Sequence, residues 1–236
     1  RLPSVLAVLL TAILIYGYSR TFLSRLGSFA AAAAFATLGQ VLELGRLGET
    51  EALFTLLVSG PLLLWHWGRV RGWPAAWTWS AAYLLVAFGT LAKGLQAPAY
   101  FAASVGAFLL LRRRWRDALA WPHLVGILVF LSVWGTWQVL FYSQLGWQGV
   151  RGIYGGDVGL RFEDTRWLTI LKHLGTYPIE ILLGCLLPWS VLLLAYLNRG
   201  FRGSIGPAKE HVVFLTASIL ATFPTCWLVP GARTRY

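Results

Sequence analysis

Eight mostly apolar runs follow one another along this chain, separated by short breaks that carry nearly all of its charge. They are roughly Pro3–Tyr18, Ser28–Leu44, Ala52–Trp67, Ala75–Leu91, Leu95–Leu111, Pro122–Tyr142, Pro178–Leu197 and His211–Val229. A bilayer span needs about 20 predominantly apolar residues, and backbone groups in lipid are satisfied only within helices or closed barrels. Runs of this length with helical content predict an all-α integral membrane protein of about eight transmembrane helices. The fourth and fifth runs, parted only by Ala92-Lys93-Gly94, predict a tight helical hairpin. Only 12% of the 236 residues are charged, against about a quarter in a soluble domain. The chain opens on Arg1 within a pattern and stops at Tyr236 just past an apolar run. It is therefore expected to be one transmembrane domain, residues 1–236, truncated at both ends.

Charge distribution predicts the orientation. The net charge of +11 would suggest a nucleic-acid partner in a soluble protein. Here the basic residues collect in alternate breaks: Arg20 and Arg25; Arg69 and Arg71; Arg112, Arg113, Arg114 and Arg116; Arg199, Arg202 and Lys209. Under the positive-inside rule these breaks are cytoplasmic, and no nucleic-acid partner is expected. Seven of the nine acids then fall on the outer side. That asymmetry directs the search for a site to the outer ends of the helices.

The long outer break, Ser143–Tyr177, divides in two. Glycines at 146, 149, 152, 155, 156 and 159 predict a flexible first half. The second half predicts a short interfacial helix, capped by Asp164 or Thr165, with Trp167, Ile170, Leu171 and Leu174 on one face and Gly175 as its stop. Cys185 and Cys226 lie within apolar runs, so buried thiols are expected rather than a disulfide or a zinc cluster.

Several polar constellations lie on the outer side. In Arg46-Leu-Gly-Glu-Thr-Glu-Ala-Leu-Phe54, Glu49 and Glu51 stand at the mouth of an apolar helix with Arg46 close by. Such carboxylates can act as a general base, or hold a metal or a cationic substrate group; the plain alternative is an acid favoured by the helix dipole. No cofactor is required by these residues, and a divalent metal is one option for the acids. Lys93, at the hairpin turn and followed by Gly94, suits a phosphate, although a snorkelling lysine would occupy the same place. His173 and Tyr177, near Glu180, could orient a sugar hydroxyl or bind metal, or simply end a helix. Arg235 and Tyr236 suit a phosphate as well. His66, His123 and His211 lie at cytoplasmic ends and are given no role.

Four short motifs in order carry a resemblance: Gly45-Arg-Leu-Gly-Glu-Thr-Glu-Ala-Leu-Phe54, Leu91-Ala-Lys-Gly-Leu95, Leu187-Pro-Trp189 and Gly231-Ala-Arg-Thr-Arg-Tyr236. Together they resemble polytopic GT-C glycosyltransferases of the protein-mannosyltransferase and aminoarabinose-transferase type. The resemblance implies a membrane enzyme of the bacterial inner membrane with its site facing outward. It would move a sugar from a polyprenyl-phosphate-linked donor to a lipid, glycan or protein acceptor. It aligns Glu51 with an acid that is more often Asp, Lys93 with a lysine near the lipid phosphate, and Arg235 and Tyr236 with a basic–Tyr motif. The main catalytic aspartate of such enzymes is expected upstream of Arg1, and the fragment alone is expected to be inactive. A transporter or flippase of lipid-linked sugars is the alternative; it would place polar residues at mid-membrane on broken helices and show repeats.

Overall fold

The computed structural model describes residues 1–45, 49–159 and 167–228. Every element among them is helical, and no strand is present among the described residues. In chain order the α-helices are α1 (Leu2–Ser19), α2 (Arg25–Ala36), α3 (Gly39–Leu44), α4 (Glu51–Arg71), α5 (Ala75–Lys93), α6 (Gln96–Leu111), α7 (Trp121–Phe130), α8 (Thr136–Gly159), α9 (Trp167–Ile179), α10 (Arg199–Ser204) and α11 (Lys209–Trp227).

Helix α1 shows what kind of solvent the chain is built for. Its buried residues are Ser4, Ala7, Thr11, Tyr18 and Ser19, while Leu2, Val5, Leu6, Leu9, Leu10 and Ile13 are exposed. In water that arrangement would be inside out. In lipid it is expected, because hydrocarbon gives no reason to hide leucine and helices approach most closely through small residues. Thr11 satisfies its hydroxyl on the Ala7 carbonyl one turn back, at 2.8 Å.

The core lies where α4, α5, α6 and α11 meet, around Trp65, Trp79, Val86, Phe101, Phe108 and Phe214. Helices α4 and α5 form a hairpin closed by Gly72, whose left-handed conformation (φ 69°) ends α4. Helix α7 packs against α5 through Gly126: a Cβ there would stand 2.5 Å from a Tyr83 ring carbon and 3.1 Å from Trp79 Cβ. The hairpin between α5 and α6 is present as expected, with Gly94 at φ 83° turning the chain. At the arginine-rich end, Tyr18 Oη and His66 Nδ1 are 2.8 Å apart, and Thr21 Oγ1 and His211 Nε2 are 2.9 Å apart. These pairs join α1 to α4 and the turn after α1 to α11, giving two histidines structural work that the sequence did not assign.

Three described helical segments are long and apolar enough to cross a membrane by length and composition: α1, α5 and Trp121–Gly152. A fourth arises if Ile170–Cys185 and Trp189–Leu197, bent by 110° at their junction, form one broken span. Two expectations for the later chain change. The glycine-rich stretch after Ser143 is helical to Gly159, with a single non-helical residue at Gly146 (φ 63°, ψ −178°). Helix α9 passes Gly175 and continues to Ile179 and a π-helical segment, Glu180–Cys185. In an apolar solvent the backbone has no other partner, and the intrahelical hydrogen bond outweighs glycine's low helix propensity. The expected caps Asp164 and Thr165 lie outside the described residues.

Candidate active site

Helices α4 and α5 run antiparallel, so the first residue of one faces the last residue of the other. Those residues are Glu51 and Lys93. Lys93 Nζ donates to Glu51 Oε1 at 2.9 Å. Each side chain is largely withdrawn from solvent, 15% exposed for Glu51 and 17% for Lys93. Each also sits where its helix dipole favours it, an acid at an N-terminus and a cation at a C-terminus. Thr50 Oγ1 donates to the second carboxylate oxygen of Glu51 at 3.1 Å. The Lys93 ammonium lies 5.4 Å from the centre of the Phe54 ring, close enough for a cation–π contact.

This pair borders a cleft of about 240 Å³ whose other walls include Phe35 of α2, Leu38 between α2 and α3, Gln40 and Val41 of α3, and Thr55 of α4. The cleft carries its charge at the pair, adds Gln40 and Thr55 as neutral polar groups, and is apolar elsewhere. Through Val8, Val41 and Gly45 it continues into an apolar groove of about 270 Å³ beside α1, where Val5, Leu9 and Leu42 form the sides. The α2–α3 wall is held in place from far along the chain. Trp189, in the Leu187-Pro-Trp189 motif, donates its indole N–H to Thr37 Oγ1 at 2.9 Å. Ser4 Oγ donates to the Glu49 carbonyl at 3.2 Å and ties α1 to the segment entering α4.

Of the residues singled out in the sequence, the structure brings Glu51 and Lys93 together. Glu49 is adjacent but exposed. His173 and Tyr177 pair with each other, ring centres 4.8 Å apart, and do not line the cleft. Tyr177 is buried and packs against Phe223 of α11, while Trp227 Nε1 donates to the Leu174 carbonyl at 2.9 Å. Together these contacts dock α9 on α11. Arg46, Arg235 and Tyr236 lie outside the described residues. Among the described residues, no three His, Cys, Asp or Glu side chains are grouped so as to hold a metal ion.

Sequence reasoning missed Gln40, Thr55 and Trp189 as parts of this site. Gln40 carried a usable clue, as the one amide in the apolar run Ala30–Leu42. Trp189 stood in the Leu187-Pro-Trp189 motif, but nothing local ties it to Thr37, and nothing local marks Thr55 as a wall of the cleft.

Comparison with known proteins bears on this same stretch. A family model described as dolichyl-phosphate-mannose-protein mannosyltransferase matches residues 1–137, more than half of the 236. That stretch contains α1 to α7 and therefore the Glu51–Lys93 pair with its cleft. No curated protein and no solved structure matches the chain.

Proposed function

Because the chain belongs to the dolichyl-phosphate-mannose-protein mannosyltransferase family, whose members are membrane glycosyltransferases using lipid-linked donors, we propose a specific assignment of roles. A polyprenyl-phosphate-linked sugar binds with its phosphate at Lys93 and the first units of its tail in the apolar groove beside α1. The sugar is passed to a hydroxyl- or phosphate-bearing acceptor on the outer side of the membrane. In this reading the eight apolar runs are the membrane path, and the arginine-rich breaks face the cytoplasm.

The observation that carries the proposal is the Glu51–Lys93 pair at the charged end of a largely apolar cleft. An incoming phosphate offers Lys93 a second anionic partner. As the bond from sugar to phosphate breaks, charge builds on the leaving phosphate, and an ammonium fixed beside it stabilises that charge more than the ground state. Glu51 positions the acceptor or its base, and Glu49, at the same mouth, is a second acid for that task. Arg46, Arg235 and Tyr236 remain proposed phosphate ligands, as the resemblance implies. His173 and Tyr177 are proposed to support the acceptor side through the docking of α9.

The test is titration of a short-chain polyprenyl-phosphate sugar with the parent protein, Lys93→Ala and Lys93→Arg at matched protein levels. A charge-assisted contact to phosphate, partly shielded from water, contributes about 1.5–3 kcal/mol. Lys93→Ala should therefore lose about ten- to a hundredfold in catalytic efficiency, and Arg should restore only part of it, since its planar fork is not a compact ammonium. Unchanged donor dependence in Lys93→Ala would remove the phosphate role.

A further inference from the structure

At the opposite end of α4 lies a second built recess. Arg69 is 18 residues beyond Glu51, which at about 1.5 Å per residue separates the two by about 27 Å, close to a bilayer's hydrocarbon thickness. The recess has a volume of about 270 Å³ and is bordered by Trp65, Arg69, Trp73, Thr78, Arg114 and Asp117. Its electrostatics are unbalanced. Arg69 Nη1 donates to Asp117 Oδ2 at 2.9 Å, and Arg114 Nε forms an ion pair with the same oxygen at 3.1 Å. One carboxylate thus serves two guanidiniums, leaving one positive charge in excess.

The Arg69 guanidinium is also half used. It lies 5.5 Å from the centre of the Trp65 ring, and its Nη2 is buried without a hydrogen-bond partner. A buried charged donor lacking an acceptor is costly. An anion seated between Arg69 and Arg114 would balance the charge, and a turn of the Arg69 guanidinium would bring the buried Nη2 to it as a donor. Planar guanidiniums favour phosphate oxygens for this purpose.

The surroundings specify what carries that phosphate. Pro122 borders the recess, and directly beside it begins an exposed apolar stripe: Trp121, Leu124 and Leu128 on α7 and Leu131 just past its end. Those positions share one helix face and run from the recess toward the membrane centre. A phospholipid with its phosphate in the recess would lay an acyl chain along this stripe, so that one molecule would contact both.

The geometry points to a binding site for an anionic phospholipid, its headgroup phosphate held by Arg69 and Arg114 and its acyl chain on the α7 stripe. Its placement in the cytoplasmic leaflet rests on the orientation proposed above; the site itself does not, and its readout involves no sugar transfer. Anionic lipid is also what the neighbouring Arg112, Arg113 and Arg116 would draw to this surface.

The experiment is native mass spectrometry of the detergent-purified protein with phosphatidylglycerol or phosphatidylcholine of identical chains, and with inorganic phosphate as competitor. Phosphatidylglycerol should bind at least about tenfold more tightly than phosphatidylcholine, as a charge-assisted contact shielded from water implies. Arg69→Lys keeps a cation for Asp117 but removes the second donor of the fork; Arg114→Gln leaves the Arg69–Asp117 pair intact. Each should weaken phosphatidylglycerol by about tenfold, while Arg113→Gln, which removes the same charge from the same loop outside the recess, should change it less than about twofold. Equal weakening by Arg113→Gln would reduce the binding to diffuse attraction by a basic loop. Equal affinity for the two lipids would overturn the site, and displacement by inorganic phosphate at matched concentration would overturn the lipid assignment.

Discussion

Glu51 and Lys93 stabilise each other's charge, and that mutual service makes their substitutions informative. Glu51→Gln preserves size and hydrogen bonding but leaves Lys93 without its counter-charge in a partly shielded place. A stability loss of about 1–3 kcal/mol is expected for the unpaired group, together with a fall in turnover on the order of a hundredfold if the carboxylate positions an acceptor or base. Combining it with Lys93→Ala should recover part of the lost stability, because the two changes act on one interaction, and none of the turnover. Melting and activity measured on the same three variants separate the two roles. Turnover that recovers along with stability would reduce the pair to a structural clamp. Both residues were legible in the sequence, since acids and lysines at the ends of apolar runs stand out. Their contact was not. It depends on α4 and α5 packing as antiparallel neighbours, which the local pattern around either residue does not contain. Tyr177 and His173 illustrate the converse: spacing put them in one cluster, and packing on α11 made that cluster a joint rather than a lining of the cleft.

At the scale of elements, close helix approach depends on a few missing side chains. Gly126 lets α7 reach α5, and a methyl group there would meet Tyr83 and Trp79. Gly126→Ala should cost about 1–3 kcal/mol through overpacking, seen as a lower melting temperature in detergent. Gly106, within α6, has nothing within 4 Å of a built Cβ, so Gly106→Ala should be neutral or slightly stabilising through helix propensity. Equal effects from both would mean that the α5–α7 contact does not set stability. The helices α1, α4, α5, α6 and α11 fall close to the apolar runs because hydrophobic length and turn glycines are local information. In the later part of the chain, glycine was what misled. Gly149, Gly152 and Gly155 read as loop, yet the chain there stays helical, and Gly175 read as a stop that α9 passes.

For the whole molecule, the inverted burial of α1 and the charge asymmetry of the breaks give the strongest statements. The asymmetry is legible in the sequence, because it needs only the order of charges between apolar runs. The burial of Ser4 and Thr11 is not, because it depends on which face of α1 meets α4. The number of spans was less legible still: length and composition admit three described segments, or four with the bent pair. The shorter runs become helices such as α2, of 12 residues, or broken ones near Leu187. Orientation remains a proposal with a direct check. In a background where Cys185 and Cys226 are replaced by Ala, a cysteine at Glu49 should react with a membrane-impermeant thiol reagent added outside intact cells, and one at Gly200 should not. Labelling at Gly200 would invert the assignment.

The separation of Glu51 from Lys93 also has a meaning in time. A ribosome finishes α4 before it starts α5, so a newly made Glu51 enters the membrane with its counter-charge still unsynthesised. Only when the end of α5 emerges, 42 residues later, can the carboxylate be neutralised. The favourable route for biogenesis is therefore insertion of α4 and α5 as a closing hairpin, with Glu51 kept at the water boundary until Lys93 arrives. The contact that equips the cleft would then also record that the hairpin has been assembled correctly.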